Sequence, residues 1–280
     1  MSKQSLEWEA PGAAVQPMIE LKGVTKEFVK PSGELHTVLH GINLQVGKGE
    51  FCSIVGPTGC GKSTTLSLIA GFEPATKGEV RIQGEPLSGI NSQAVCMFQT
   101  ENAFPWKTVI DNVSLGLRLK GVKKSEAYDE ARGWIQRVGL KGFENHYPHQ
   151  LSGGMRKRVG LAQCLIVQPK ILLMDESFSA LDVHTRHLME NELLKIWSET
   201  GASVVFITHD LEEAIALSDR VVVLSAGPGS SVKGNYRIEL ERPRNVAEIR
   251  FDPAFMRIHE QIWNDLRDEV MISYVHAANH

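Results

Sequence analysis

A short apolar run, Phe51-Cys52-Ser53-Ile54-Val55, passes without a break into Gly56-Pro57-Thr58-Gly59-Cys60-Gly61-Lys62-Ser63-Thr64. The run predicts a buried strand, and the residues from Ser63 to Ala70 predict a helix that stops at Gly71. Between them, residues 56–63 spell G-x-x-x-x-G-K-[ST], with a strand before and a helix after as that motif requires. Glycines let backbone N–H groups turn inward around phosphate oxygens, and the helix behind them offers its positive end. Lys62 is placed to reach the β- and γ-phosphates of a nucleotide, and the Ser63 hydroxyl to ligate Mg²⁺. Gly56, Pro57, Thr58, Gly59, Cys60, Gly61, Lys62, Ser63 and Thr64 are thus the predicted nucleotide contacts.

Further strand-like runs follow at 171–174, 204–208 and 221–224, with helical stretches near 180–197 and 211–218 between them. Apolar runs with few polar breaks suit parallel strands covered on both faces, joined by right-handed crossovers. Residues 102–167 carry helical spacing instead, for example Ala127, Ala131, Trp134, Ile135 and Val138. Upstream, residues 19–21 and 24–29 read as short strands split by a turn at Lys22-Gly23, followed by a strand over 37–46. The expected fold is α/β, a P-loop core with a small antiparallel β subdomain and an α-helical insertion. Residues 1–17 read as a tail and 18–245 as the main domain. Beyond the turn-rich Gly227-Pro228-Gly229-Ser230-Ser231, residues 236–240 could add an edge strand. Residues 246–280 form a helical extension with Phe255, Ile258, Ile262 and Leu266 on one face, and residues 273–280 are expected to fray.

The run 171–174 ends in Asp175-Glu176. Beside a phosphate loop, Asp175 is expected to contact Mg²⁺ directly or through one of the ion's ligands, and Glu176 is the expected general base that polarises an attacking water. Composition narrows the rest. Hydrophobic residues at 42% and charged residues at 22% describe a folded globular chain. Thirty Lys+Arg against 33 Asp+Glu leave a net charge of −3, so no basic field points to nucleic acid. No apolar run approaches the roughly 20 residues of a membrane span. Together with the absence of a secretory pattern, this predicts a cytosolic chain. Cys52, Cys60, Cys96 and Cys164 show no metal-ligand spacing and read as reduced thiols, Cys60 the more exposed for its place in the loop.

Leu151-Ser152-Gly153-Gly154-Met155 sharpens the reading. With Lys62, Gln99, Asp175, Glu176, Asp182 and His209, in that order and spacing, it resembles the ATP-binding subunits of ABC transporters over about residues 18–245. The resemblance implies an ABC ATPase core whose helical subdomain carries the signature. It implies that Ser152, Gly153 and Gly154 open a helix aimed at the γ-phosphate of ATP held by a second subunit, so that two chains dimerise head to tail, a homodimer being the simpler case. Gln99 matches the residue that touches Mg²⁺ or the attacking water, and His209 the one that contacts the γ-phosphate and orients the glutamate. Asp182, closing Ser179-Ala180-Leu181-Asp182, matches the segment that couples the two sites. Phe28 sits where the family has an aromatic stacked on adenine; a buried core phenylalanine is the other reading. Met155 replaces the commonest Gln, and Ser177 stands where many relatives have Pro.

Phe104-Pro105-Trp106, Met155 and Arg242-Pro243-Arg244 resemble the nitrate/sulfonate/taurine importer branch. That branch implies a pair of ATPase subunits under a membrane permease served by a substrate-binding protein, moving a small anion. The chain would then sit on the cytoplasmic face of the membrane, meeting the permease near Phe104-Pro105-Trp106-Lys107. The aromatic pair either anchors that interface or packs inside the helical insertion. A soluble ABC ATPase of complex assembly is the alternative.

Overall fold

Strand burial follows two patterns, and they separate the two sheets of the molecule. The structure is a computed structural model and describes residues 16–99, 103–178 and 181–278. The chain runs through β1 (Ile19–Val29), β2 (Leu35–Val46), β3 (Phe51–Val55) and α1 (Lys62–Ala70). A hairpin of β4 (Lys77–Ile82) and β5 (Glu85–Pro86) precedes β6 (Ala94–Met97). Then come α2 (Val109–Leu119), α3 (Lys124–Arg137), a 3-10 turn at Pro148–Gln150 and α4 (Gly153–Leu165). Strand and helix alternate through β7 (Ile171–Asp175), α5 (Val183–Thr200), β8 (Ser203–Ile207), α6 (Leu211–Leu217) and β9 (Arg220–Leu224). After these lie β10 (Val232–Arg237), α7 (Val246–Ile249) and α8 (Pro253–Ala278). No helix among the described residues is long and apolar enough to cross a membrane.

β3, β8 and β9 are buried along their whole length, and β7 up to its last residue. They form the centre of a six-stranded sheet ordered β10-β9-β3-β8-β7-β6, parallel except for β10. Because side chains alternate along a strand, each feeds two cores. Phe51, Met174, Phe206 and Val221 join the helices of the insertion and α5 and α6. Cys52, Ile54, Leu173, Val205 and Val222 face the other way, against α1 and the antiparallel sheet β2-β1-β4-β5. The register aligns Ile54 with Ile207, Ile207 with Asp175, and Met174 with Met97. The loops after β3, β8, β7 and β6 therefore leave from one edge, the carboxyl edge where open α/β sheets bind ligands.

Several expectations need correcting. Lys22-Gly23 is no turn: β1 is one strand, and Gly23, at φ 57°, takes up a register shift between Leu21 and Val24. The segment between α1 and β6, assigned no strand from sequence, holds β4 and β5, joined by Gln83-Gly84, both at positive φ. The last strand begins at Val232 and stops at Arg237, because the carbonyls of Ile238 and Leu240 turn to the buried Arg244 guanidinium at 3.3 and 2.9 Å instead of to a neighbouring strand. Helix α8 buries Phe255, Ile262 and Leu266 as expected, but runs past Ser273 to Ala278.

Candidate functional site

The glycine-rich loop is closely packed at two of its glycines, where any side chain would force its neighbours to shift. Gly61, at φ 91°, caps α1, and a Cβ there would stand 2.6 Å from Leu39 Cδ2. At Gly56 a Cβ would stand 2.7 Å from Cys60 Sγ. The loop thus folds tightly over β2 and β9, and Cys60 is buried, against the exposure expected of it; burial also raises its thiol pKa. The Lys62 ammonium is buried in the loop and donates to the carbonyls of Gly56 and Pro57 at 2.8 and 3.0 Å. Thr58, Gly59, Gly61, Lys62, Ser63 and Thr64 line a cleft of about 270 Å³ with Val38 and Glu176.

Both acids stand at the end of β7, separated from β3 in the sheet by β8. Burial raises the Asp175 carboxyl, opposed by a hydrogen bond from the Ser63 side chain; Glu176 raises it further and Lys62 lowers it. Glu176 is held in the left-handed region at φ 43°, a strained conformation for a residue with a side chain, and its N–H donates to Ile207 O at 2.9 Å. Two neighbours grip its carboxylate. Gln99 Nε2 donates to Oε2 at 2.9 Å, and His209 Nδ1 lies 3.4 Å from Oε1. Gln99, Glu176 and His209 are far apart in sequence; the parallel strands β6, β7 and β8 deliver them to one edge.

The signature residues do not join this group. The Ser152 hydroxyl accepts the Met155 N–H at 3.3 Å and caps α4. Ser152, Gly153, Gly154 and Met155 line a separate cleft of about 440 Å³ with Leu181, Asp182 and Thr185. Asp182 caps α5 by accepting the Thr185 N–H at 3.0 Å, and that bond lowers its carboxyl pKa. Ser179 and Ala180 lie outside the described residues. Phe28 is 37% exposed, not a core residue, with Lys26 Nζ 4.7 Å above its ring centroid. Its cross-strand partner is His36, two residues from the cleft-lining Val38. Ser177 is buried, its hydroxyl 3.5 Å from Met97 O.

Comparison with known proteins agrees with this geometry. The ABC transporter family model matches residues 39–179. An uncharacterized ABC transporter ATP-binding protein, MJ0412 of Methanocaldococcus jannaschii, is 45% identical over 255 residues, covering 91% of this chain and 93% of that protein. The chain belongs to the ABC transporter ATP-binding family. The taurine import ATP-binding protein TauB of Yersinia pestis bv. Antiqua is 40% identical over 88% of the chain and 95% of its own length. The dimeric structure of the post-hydrolysis state of the ATP-binding cassette MJ0796, bound to ADP and Pi, superposes with a TM-score of 0.71 at 32% identity, covering 80% of this chain and all of that one. The chain is accordingly an ABC ATP-binding subunit and an ATPase.

Two residues of this ABC ATPase carry no clear mark in the sequence. Asn112 is buried on α2, where its Oδ1 accepts the Phe104 N–H at 2.7 Å. Its Nδ2 donates to the carbonyls of Phe104, Lys107 and Thr108 at 3.0 to 3.1 Å. That clamp holds Phe104 and Trp106 outward, 37% and 70% exposed with ring centroids 5.4 Å apart, so the aromatic pair does not pack inside the insertion. An asparagine among helical positions is the one available signal, since it favours caps and turns over helix interiors. Lys157, buried on α4, donates to the Gln99 backbone carbonyl. Inside Arg156-Lys157-Arg158 it reads as surface charge, so no local pattern betrays it.

Proposed function

We propose that this chain hydrolyses ATP as one half of a head-to-tail dimer and thereby energises a membrane importer of a small anion such as taurine, another sulfonate or nitrate. One observation carries the mechanism: the Glu176 carboxylate, gripped by Gln99 and His209, faces the phosphate-loop cleft, while Ser152, Gly153 and Gly154 open onto a different one. A single chain therefore offers two incomplete halves of a site, and a second copy turned end for end completes both.

In that reading residues 56–64 cradle the phosphates, and Lys62 exchanges its bonds to Gly56 and Pro57 for bonds to phosphate oxygens. Phe28 stacks on the adenine. Ser63, Asp175 and Gln99 offer hydroxyl, carboxylate and amide oxygens, the hard donors that Mg²⁺ takes beside phosphate and water. A half-buried carboxylate already bonded to the Ser63 side chain fits a cation there. Bound Mg²⁺ would neutralise phosphate charge. Glu176 takes a proton from the attacking water as its oxygen bonds the γ-phosphorus and the bond to ADP breaks, while His209 orients the carboxylate. The partner's signature helix offers N–H groups to the same phosphate, so binding closes the dimer and hydrolysis opens it.

The importer reading rests on the likeness to the TauB proteins and on the outward aromatic pair at Phe104 and Trp106, an anchor suited to a permease on the cytoplasmic face of the membrane. The substrate-binding protein acts on that permease, not on this subunit. Glu176→Gln should bind Mg-ATP, lose turnover and accumulate as dimer in light scattering. A monomer under saturating ATP would overturn the composite site. Capture from mildly solubilised native membranes should recover an integral membrane protein stoichiometrically; recovery of soluble partners alone would favour complex assembly.

A further inference from the structure

Beneath the turn that carries His209, two carboxyl groups are buried against each other. Glu190 on α5 is 1% exposed and Glu213 on α6 is 7% exposed, and their side chains are in hydrogen-bond contact. Glu190 Oε2 and Glu213 Oε1 are buried without any N–H or O–H donor among the described residues. Two ionised carboxylates do not persist in such contact, whereas one proton held between them satisfies both groups. Among the described residues no cation bonds directly to the pair, and Arg186 and Arg250 act on Glu190 only through space. Arg186 turns to Leu181 O at 3.1 Å and Asp210 Oδ2 at 3.6 Å, and Arg250 to Glu212 Oε2 at 3.2 Å and His187 Nε2 at 3.0 Å.

The pair has one further bond, and it leads to the active edge. The other Glu213 oxygen, Oε2, is bonded to the buried Thr208 hydroxyl, and that hydroxyl accepts the Asp210 N–H at 3.0 Å. His209 is the residue enclosed between Thr208 and Asp210, and it alone of the three points its ring out to Glu176. Glu190 belongs to the helix whose first turn, at Asp182 and Thr185, lines the signature cleft. We infer that Glu213, sharing a proton with Glu190, is a positioning residue for His209, fixing the Thr208–Asp210 turn from below and tying it to the helix that starts beside the signature cleft. This rests on the role proposed for His209 in orienting the Glu176 carboxylate.

The test compares Glu213→Gln, Glu213→Met and His209→Ala in the full chain, each assayed for kcat and for the KM of ATP. Gln keeps an acceptor for Thr208 and brings a donor to Glu190 without needing a shared proton. It should hold kcat within about twofold of wild type. Met fills the same space without either bond and should lower kcat by about tenfold or more with KM for ATP little changed. Circular dichroism confirms that the Met variant is folded, and a lower kcat in the Gln variant equal to that of Met would overturn the inference on its own. So would a Met variant with wild-type kcat while His209→Ala is slow. If His209→Ala itself turns over normally, the failure lies in the His209 assignment, and the positioning role falls with it.

Discussion

At the scale of single residues, the contacts around the phosphate loop and its edge set expectations that can be measured one side chain at a time. Lys62 holds no carboxylate, only loop carbonyls that ATP phosphates can replace, so Lys62→Ala should cost at least about 100-fold in kcat/KM while the fold survives. Steady-state hydrolysis checks it. Phe28 is exposed on β1, so Phe28→Ala should leave the melting temperature nearly unchanged and weaken ATP binding by about 1–3 kcal/mol, as lost base stacking does; fluorescence titration with a nucleotide analogue reads the difference. Glu213 carries a pH signature. Burial first, then Glu190, pushes its carboxyl from an ordinary 4.5 up to about 9, so the folded chain holds a proton that the unfolded chain gives up near 4.5. The folded state then binds more protons throughout that window, and stability falls as pH rises from about 4.5 to about 9, levelling beyond. Glu213→Gln has no proton to lose and should flatten that decline in urea midpoints taken at several pH values.

At the scale of elements, loops matter through what pins them. The segment carrying Phe104 and Trp106 stays in one conformation because one buried amide serves four backbone groups. Asn112→Ala takes the amide from the Phe104 N–H and the Lys107 carbonyl, while the Phe104 and Thr108 carbonyls keep backbone donors, a penalty of about 1–3 kcal/mol where the two groups stay buried. The loop should exchange its amide hydrogens faster and permease capture should fail, while ATPase activity of the isolated subunit stays within about twofold. The carboxyl-terminal segment is pinned by the Arg242-Pro243-Arg244 stretch, a cue to the importer branch in sequence and a clamp in the folded chain. Arg244, buried, donates to five carbonyls, those of Ile215, Ala216, Ser218, Ile238 and Leu240. Arg242 pairs with Asp219 at 2.7 Å and stacks on Trp197 at 4.3 Å. Since half-exposed ion pairs contribute little and orphaned buried carbonyls cost much, Arg244→Met should lower the urea midpoint more than Arg242→Met.

At the scale of the molecule, the two clefts make a prediction that no single variant can. Lys62→Ala destroys a phosphate loop and keeps a signature; Ser152→Arg does the reverse. Each alone should be inactive. Mixed in equal amounts and paired at random, half the dimers contain both variants and one of their two sites is intact, so about a quarter of wild-type activity should return. No recovery on mixing would mean that each site lies within one chain, or that both must be whole before either turns over; wild-type activity per chain that is independent of dilution selects the former.

Much of the fold and of the phosphate site is legible in the amino-acid order. The glycine spacing from Gly56 to Gly61, the carboxylates at the end of an apolar run and the buried strands are local facts: chain sterics and strand or helix period act within a few residues. The signature at Leu151 to Met155 is legible only through likeness to a family. What the chain alone does not disclose is which distant groups meet. Gln99, Glu176 and His209 converge because β6, β7 and β8 are adjacent and in register, and Asn112, Lys157 and the Glu190–Glu213 pair find their partners only across packed elements. Sequence period reports which face of an element is apolar, and so it determined the layers. The pairing of strands, the burial of a charge and the sharing of a proton depend on what the opposite element presents, and tertiary structure decided those.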